Sequence, residues 1–122
     1  MKDRQELARE GEELAARYLA DAGWTILERN YRYGRGGEID IIARDGDYTV
    51  FIEVKTRQSL ACGAPEYAIT PSKQRQVIRI ARGYMWLEGR GELICRFDVI
   101  AVSVIRGVPH INHIRNAFTS TS

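Results

Sequence analysis

Cysteine and histidine are scarce in this chain, and each scarcity excludes something. Cys62 and Cys95 are the only cysteines among 122 residues. Two thiols so far apart rule out a zinc cluster, and a reducing compartment leaves them unpaired. His110 and His113, the only histidines, differ by an odd number, so an extended segment points them to opposite faces and makes them poor joint ligands. No stretch approaches 18 consecutive apolar residues, the length at which a membrane span is read, and Met1-Lys2-Asp3-Arg4-Gln5-Glu6 lacks the apolar segment of a signal peptide. The expectation is a cytoplasmic protein without a membrane partner. The net charge of +2 is too small to diagnose a polyanion partner by itself.

What is present fits one small domain. With 44% apolar residues, 122 residues can close a core without disulfides or structural metal. No internal repeat or second domain interrupts residues 1–122, and the tail from about residue 117 to 122 reads as frayed. Lysine occurs only at Lys2, Lys55 and Lys73, so most of the 18 basic residues are arginines, whose planar fork suits phosphate.

Helical periodicity runs from about Asp3 to Ala22, where Leu7, Gly11, Leu14, Ala15, Tyr18 and Leu19 form a stripe and Gly23 is a natural stop. Glu12 lies on the border of that stripe. Trp24-Thr25-Ile26-Leu27-Glu28-Arg29 reads as a strand leading into a loop, Asn30 to Gly37, that mixes Gly, Tyr and Arg, including Arg35. Such a loop either packs blandly on the sheet or stacks on bases and holds phosphates. A second helix is expected from about Lys73 to Leu87, capped by Ser72, with Arg75, Arg79 and Arg82 aligned along one face. Glu92 to Ile105 is apolar enough for a central strand, and Arg96 and Asp98 share one face as a structural couple or as an outer layer of the active site. His110 to Arg115 reads as an edge strand.

The chemistry-bearing feature is an acidic pair on neighbouring strands. Gly37-Glu38-Ile39-Asp40-Ile41-Ile42 is followed across a tight turn by Val50-Phe51-Ile52-Glu53-Val54-Lys55-Thr56. Charged residues are poor strand formers that avoid burial, so three of them within two apolar strands require a reason. With Asp45-Gly46 as a two-residue turn, Asp40 is diagonal to Glu53; with a four-residue turn around Gly46, it is directly opposite. Either register puts both carboxylates on one face. Two carboxylates suit Mg²⁺ completed by water and phosphate oxygens, and the Lys55 ammonium suits the charge of a hydrolytic transition state. The plain alternative is the solvated face of an edge hairpin.

These segments, Gly37-Glu38-Ile39-Asp40, Phe51-Ile52-Glu53-Val54-Lys55-Thr56-Arg57 and Arg96-Phe97-Asp98-Val99-Ile100, resemble the signature of the bacterial YraN family. That family carries an endonuclease-like domain of the PD-(D/E)xK superfamily, related in fold to Holliday junction resolvases. The likeness covers roughly residues 8 to 105, with Ile39 standing where the superfamily name has proline. It implies an α/β, three-layer restriction-endonuclease-like fold, with a mixed central sheet of about five strands flanked by helices.

The resemblance also implies roles. Asp40 and Glu53 bind Mg²⁺, or Mn²⁺ in its place, with the Val54 carbonyl as a backbone ligand. Lys55 activates water, and Glu12, the acidic residue of the first helix, assists. Glu38 supports the metal or its waters, or pairs with Arg57. Lys73, matching a lysine at the same helix start in the family, contacts phosphate by the same resemblance; read from the residues themselves, Arg35, Arg57, Arg75 and Arg79 suit nucleic acid, DNA more than RNA, with Gln74 a further polar candidate. The implied activity is endonucleolytic cleavage of DNA, branched or structured DNA included, and cutting two strands asks for a homodimer. The rival function is a catalytically silent nucleic-acid-binding module that keeps the nuclease fold.

Overall fold

A computed structural model of the chain describes residues 2–58, 69–88 and 94–120. The loop around Gly63, which follows the Glu53-Val54-Lys55 strand and whose glycine makes it a candidate flap near a scissile phosphate, lies outside the described residues. The elements in order are α1 (Arg4–Asp21), β1 (Thr25–Tyr31), β2 (Ile39–Asp45), β3 (Tyr48–Arg57), α2 (Pro71–Leu87), β4 (Cys95–Ile105) and β5 (Val108–Phe118).

Helix α1 begins where the Asp3 side chain accepts the Glu6 N–H at 2.8 Å, relieving one of the donors that every helix start leaves unpaired. Gly23, at φ +90, turns the chain out of the helix. Helix α2 begins two residues earlier than its periodicity suggests. Pro71 occupies the first position, where its missing N–H is no loss, and the cap is Thr70, whose Oγ1 accepts the Lys73 N–H at 3.1 Å. Ser72 is therefore inside the helix and not its cap.

The strands form one sheet in the order β1-β2-β3-β4-β5. The first three make an antiparallel meander, α2 carries the chain over so that β4 lies parallel to β3, and β5 returns antiparallel. Alternation along the strands divides the core into two. On one face Ile41, Ala43, Val50, Ile52, Ile100 and Val102 pack with Ala15 and Leu19 of α1; on the other Ile42, Phe51, Phe97 and Val99 pack with Val77, Ile80, Ala81 and Tyr84 of α2. The result is an α/β three-layer fold with a mixed five-stranded sheet.

Helix α1 lies very close to β3 at one point. A methyl group placed on Gly11 would sit 1.9 Å from Thr56 Oγ1, so only glycine allows the two backbones to approach this far. At the other end of the chain, Phe118 is buried and its ring stacks on Phe97 with centroids 5.0 Å apart. The strand thus extends through Ala117 and Phe118, which the composition of the tail alone marks as frayed, because aromatic stacking on the core outweighs local propensity.

Candidate active site

The β2–β3 hairpin turns at Gly46-Asp47, with Asp45 paired to Tyr48 and Gly46 at φ +60. This turn is two residues long but one position later than Asp45-Gly46. It sets a register in which Ile41 faces Ile52, so Asp40 stands opposite Glu53, the relation expected of a four-residue turn. The last backbone rung is at Ile41 and Ile52. Beyond it the strands part, and the Asp40 side chain fills the gap: its Oδ2 accepts the Val54 N–H at 2.8 Å.

Glu53 is 5% exposed, and its Oε1 has no hydrogen-bond partner among the described residues. A buried carboxylate oxygen left in that condition is costly unless something cationic or protic answers it. Burial first, then the neighbouring Asp40 charge, push the Glu53 carboxyl up to about 8, against opposition from Lys73 and Lys55. Burial also pushes Asp40 up to about 6, with Glu12 and Glu38 adding to the rise and the Val54 N–H and Lys73 opposing it. The two acids therefore share negative charge reluctantly, a strain that either a proton or a cation relieves.

Two ammonium groups attend the pair. Lys55, half-buried, follows Glu53 by two residues and so lies on the same face. Lys73, in the first turn of α2, places Nζ 3.7 Å from Glu53 Oε2 and donates to Gln76 Oε1 at 2.8 Å. Lys73 is thus directed at the carboxylates, and Gln76 holds it there. Gly37, at φ +103, lets the preceding loop reach this spot, since a methyl group on it would meet the Gln76 side chain at 2.5 Å.

Glu12 approaches from α1, next to Gly11, whose closeness to Thr56 brings this helix against β3. Asn30 Nδ2 donates to Glu12 Oε1 at 2.9 Å and to Glu38 Oε2 at 2.6 Å, tying the two acids together. Arg32, not Arg57, pairs with Glu38, at 2.9 Å. The linking residue Asn30 escapes a reading by motif. Its one signal is an asparagine in a strand, a type that tolerates the left-handed backbone it adopts here, φ +50.

The remaining candidates separate by surroundings. Arg79 donates to the carbonyls of Tyr33, Arg35 and Gly36 at 3.1, 2.6 and 3.3 Å, fastening the Gly-Tyr-Arg loop to α2. Gln74 Nε2 donates to the Ile69 carbonyl at 2.9 Å and so steadies the start of α2. Arg35 and Arg75 are exposed, and Arg57 is half-buried at the end of β3.

Arg96 and Asp98 are a structural couple on the opposite, α1-facing side of the sheet, and not an outer layer of this site. Arg96 grips Asp98 with two bonds, Nε to Oδ1 at 2.9 Å and Nη2 to Oδ2 at 3.1 Å. His113 Nε2 lies 2.7 Å from Asp98 Oδ2, the Asn116 N–H donates to Oδ1 at 2.9 Å, and Tyr18 Oη meets His113 Nδ1 at 2.9 Å. Burial alone would raise the Asp98 carboxyl, but the His113, Arg96 and Asn116 hydrogen bonds outweigh it and hold Asp98 below the ordinary carboxylate value.

Among the described residues, no group of three or more His, Cys, Asp and Glu side chains is arranged to hold a metal ion by itself. The donor set that does converge, Asp40 with Glu53, is the one or two carboxylates by which Mg²⁺ is held when water and phosphate complete its shell. The unsatisfied Glu53 Oε1 gives that fit a structural observation.

The mixed five-stranded sheet between two helices, whose β2 and β3 part around half-buried Asp40 and buried Glu53, is a three-layer nuclease-like fold. The family described as Uncharacterised protein family UPF0102, the YraN family, matches residues 11–102. The chain belongs to this family. A UPF0102 protein of Geobacter sulfurreducens is 48% identical over 109 residues, covering 88% of this chain and 84% of the relative. One from Rhodococcus jostii is 48% identical over 113 residues, covering 92% and 95%, and one from Chlorobium chlorochromatii is 54% identical over 99 residues, covering 81% and 75%. No helix among the described residues is long and apolar enough to cross a membrane.

Proposed function

We propose that the chain is a divalent-cation-dependent endonuclease acting on DNA, with branched or structured DNA among its substrates. The observation that carries this reading is the pairing of half-buried Asp40 with buried Glu53, whose Oε1 has no hydrogen-bond partner among the described residues, at the point where two strands separate.

In this reading Asp40 and Glu53, with the Val54 carbonyl, hold Mg²⁺ or Mn²⁺. When bound, the cation supplies Lewis acidity toward a phosphoryl oxygen and favours hydroxide over water. The Asp40 carboxylate is oriented for this task by the Val54 N–H, which occupies one lone pair of Oδ2 and leaves Oδ1 available. Lys55 Nζ donates to the oxygen of the attacking water, and its charge offsets the anion that develops as the phosphodiester is cleaved. Lys73 steadies Glu53 in the ground state, and Glu12 and Glu38, linked through Asn30, hold further acceptors beside Asp40. Arg35, Arg57 and Arg75 supply positive charge for the flanking strand.

One observation favours a second reading, the catalytically silent nucleic-acid-binding module. The Lys73 ammonium already lies 3.7 Å from Glu53 Oε2 and supplies part of the charge a metal would bring. A cleavage panel separates the two. Incubation with single-stranded, flapped and four-way-junction DNA in Mg²⁺, Mn²⁺ or EDTA yields products only with a divalent ion under the first reading. Asp40→Asn and Lys55→Ala abolish cleavage and keep DNA binding. Binding of every substrate without product in any metal contradicts the nuclease and supports the silent module.

A further inference from the structure

Beyond the carboxylates, the outer side of α2 carries a groove of about 590 Å³ lined by Tyr33, Arg75, Ile78, Arg82, Gly83 and Trp86. Trp86 is 73% exposed, an unusual state for so large an aromatic ring. It continues the helical row of Arg75, Arg79 and Arg82, one turn further on. Among the described residues neither Arg75 nor Arg82 is paired with a carboxylate.

We propose that this groove seats an unpaired strand of DNA, with one base stacked on Trp86 and the neighbouring phosphates on Arg75 and Arg82. The choice of DNA rests on the nuclease reading above; the stacking and the charge pairing do not. Exposed aromatic rings interleaved with arginine are the general apparatus for single strands, because every base has a π-face and every nucleotide a phosphate. A duplex hides its base faces and cannot use the ring in this way. A second copy of the chain docking here about a two-fold axis would set Arg75 and Arg82 against arginines of its own kind, which charge repulsion disfavours.

The groove is also prepared in advance. The Tyr33 ring lies flat against α2 where Gly83 leaves room, since a methyl group there would meet the ring at 2.3 Å. Arg79 fixes the loop behind that ring through three carbonyls. At about 1.5 Å per residue, α2 spans roughly 20 Å from Lys73, beside Glu53, to Trp86. A strand stacked on Trp86 therefore runs along the helix and arrives at the acidic pair from its N-terminal end.

The test is fluorescence anisotropy in EDTA, which stops cleavage, with a labelled single-stranded oligonucleotide and a blunt duplex of the same sequence. Trp86→Ala weakens single-strand binding about ten-fold or more and duplex binding less than about two-fold, whereas Trp86→Phe retains most of the affinity. The oligonucleotide also quenches the tryptophan emission of the wild-type protein, and this quenching is reduced in Trp86→Phe. Unchanged single-strand affinity in Trp86→Ala, or equal losses on both DNAs, overturns the proposal. So does a dependence on Trp86 for single-stranded RNA alone, or a change from self-associated to monomeric protein in Trp86→Ala with oligonucleotide affinity intact. The nuclease reading fails separately: Trp86-dependent binding without cleavage in Mg²⁺ or Mn²⁺ keeps the groove and removes the nuclease, and cleavage with no Trp86-dependent binding does the reverse.

Discussion

The Asp40 carboxylate takes the place of a backbone acceptor, its Oδ2 receiving the Val54 N–H at 2.8 Å just beyond the last rung between β2 and β3. One side chain thereby closes the hairpin and holds an acid at its mouth. Asp40→Ala leaves the Val54 N–H without its acceptor and lowers stability by about 1–3 kcal/mol. Asp40→Asn keeps an amide oxygen for the same bond and loses less than half of that. Urea unfolding of the two variants separates the structural role of this residue from its charge.

Glu53 works in the opposite direction. Its carboxyl is raised from 4.5 to about 8, so the folded state holds a proton that the unfolded state has released over that interval. Stability without metal is therefore greatest below about pH 4.5 for this group and falls as pH rises toward 8. Glu53→Gln removes the titration. Thermal melts in EDTA show the variant more stable than wild type at pH 8, by about 1–3 kcal/mol, with the advantage shrinking toward pH 4. An advantage independent of pH contradicts this account.

Gly11 positions α1, and with it Glu12. Gly11→Ala forces a methyl group against Thr56 Oγ1, at 1.9 Å before relaxation, and costs about 2–3 kcal/mol even though alanine is the better helix former. Thr56→Ala removes Oγ1 and Cγ2 from the contact, so the double variant recovers part of the loss. A double-mutant cycle by chemical denaturation measures that coupling.

Much of this arrangement is legible in the sequence, for identifiable reasons. The stripe of Gly11, Ala15 and Leu19 and the alternation through Asp40 and Glu53 are local periodicities, and a two-residue or a four-residue turn alike puts those two acids on one face. The position of the turn is less legible, because Asp45-Gly46 and Gly46-Asp47 are both good turn pairs and only the packing of Ile41, Ile42 and Phe51 selects the latter. Thr70 is hidden as a cap because Ser72 follows it, and the deciding feature is Pro71 at the first helical position. Asn116 reaches Asp98 where β4 and β5 shift register between Phe97 and Val99, a long-range irregularity that periodicity does not encode, and His113 reaches it across a strand pairing that no local pattern specifies.

The Asp98 network predicts the acid limb of stability. Asp98 is fully buried and held below its ordinary value of 3.8, so its contribution is complete above that pH and is lost as pH falls through the lower folded value. Asp98→Asn destabilises by about 3–5 kcal/mol near neutrality, since it leaves the Arg96 charge short of its partner. The same variant loses less of its remaining stability than wild type between pH 4 and pH 2, which equilibrium unfolding across that range records.

The central claim is that Asp40 and Glu53 together grip a divalent cation. Calorimetric titration of Mn²⁺ into EDTA-stripped protein tests it most directly, at a pH near 8, where Asp40 has released its proton and Glu53 gives its up readily to a cation. The wild type is expected to show a saturable site that Asp40→Asn and Glu53→Gln each weaken at least about ten-fold, with both variants folded. Binding that is undiminished in both variants, or no binding by the wild type, contradicts it.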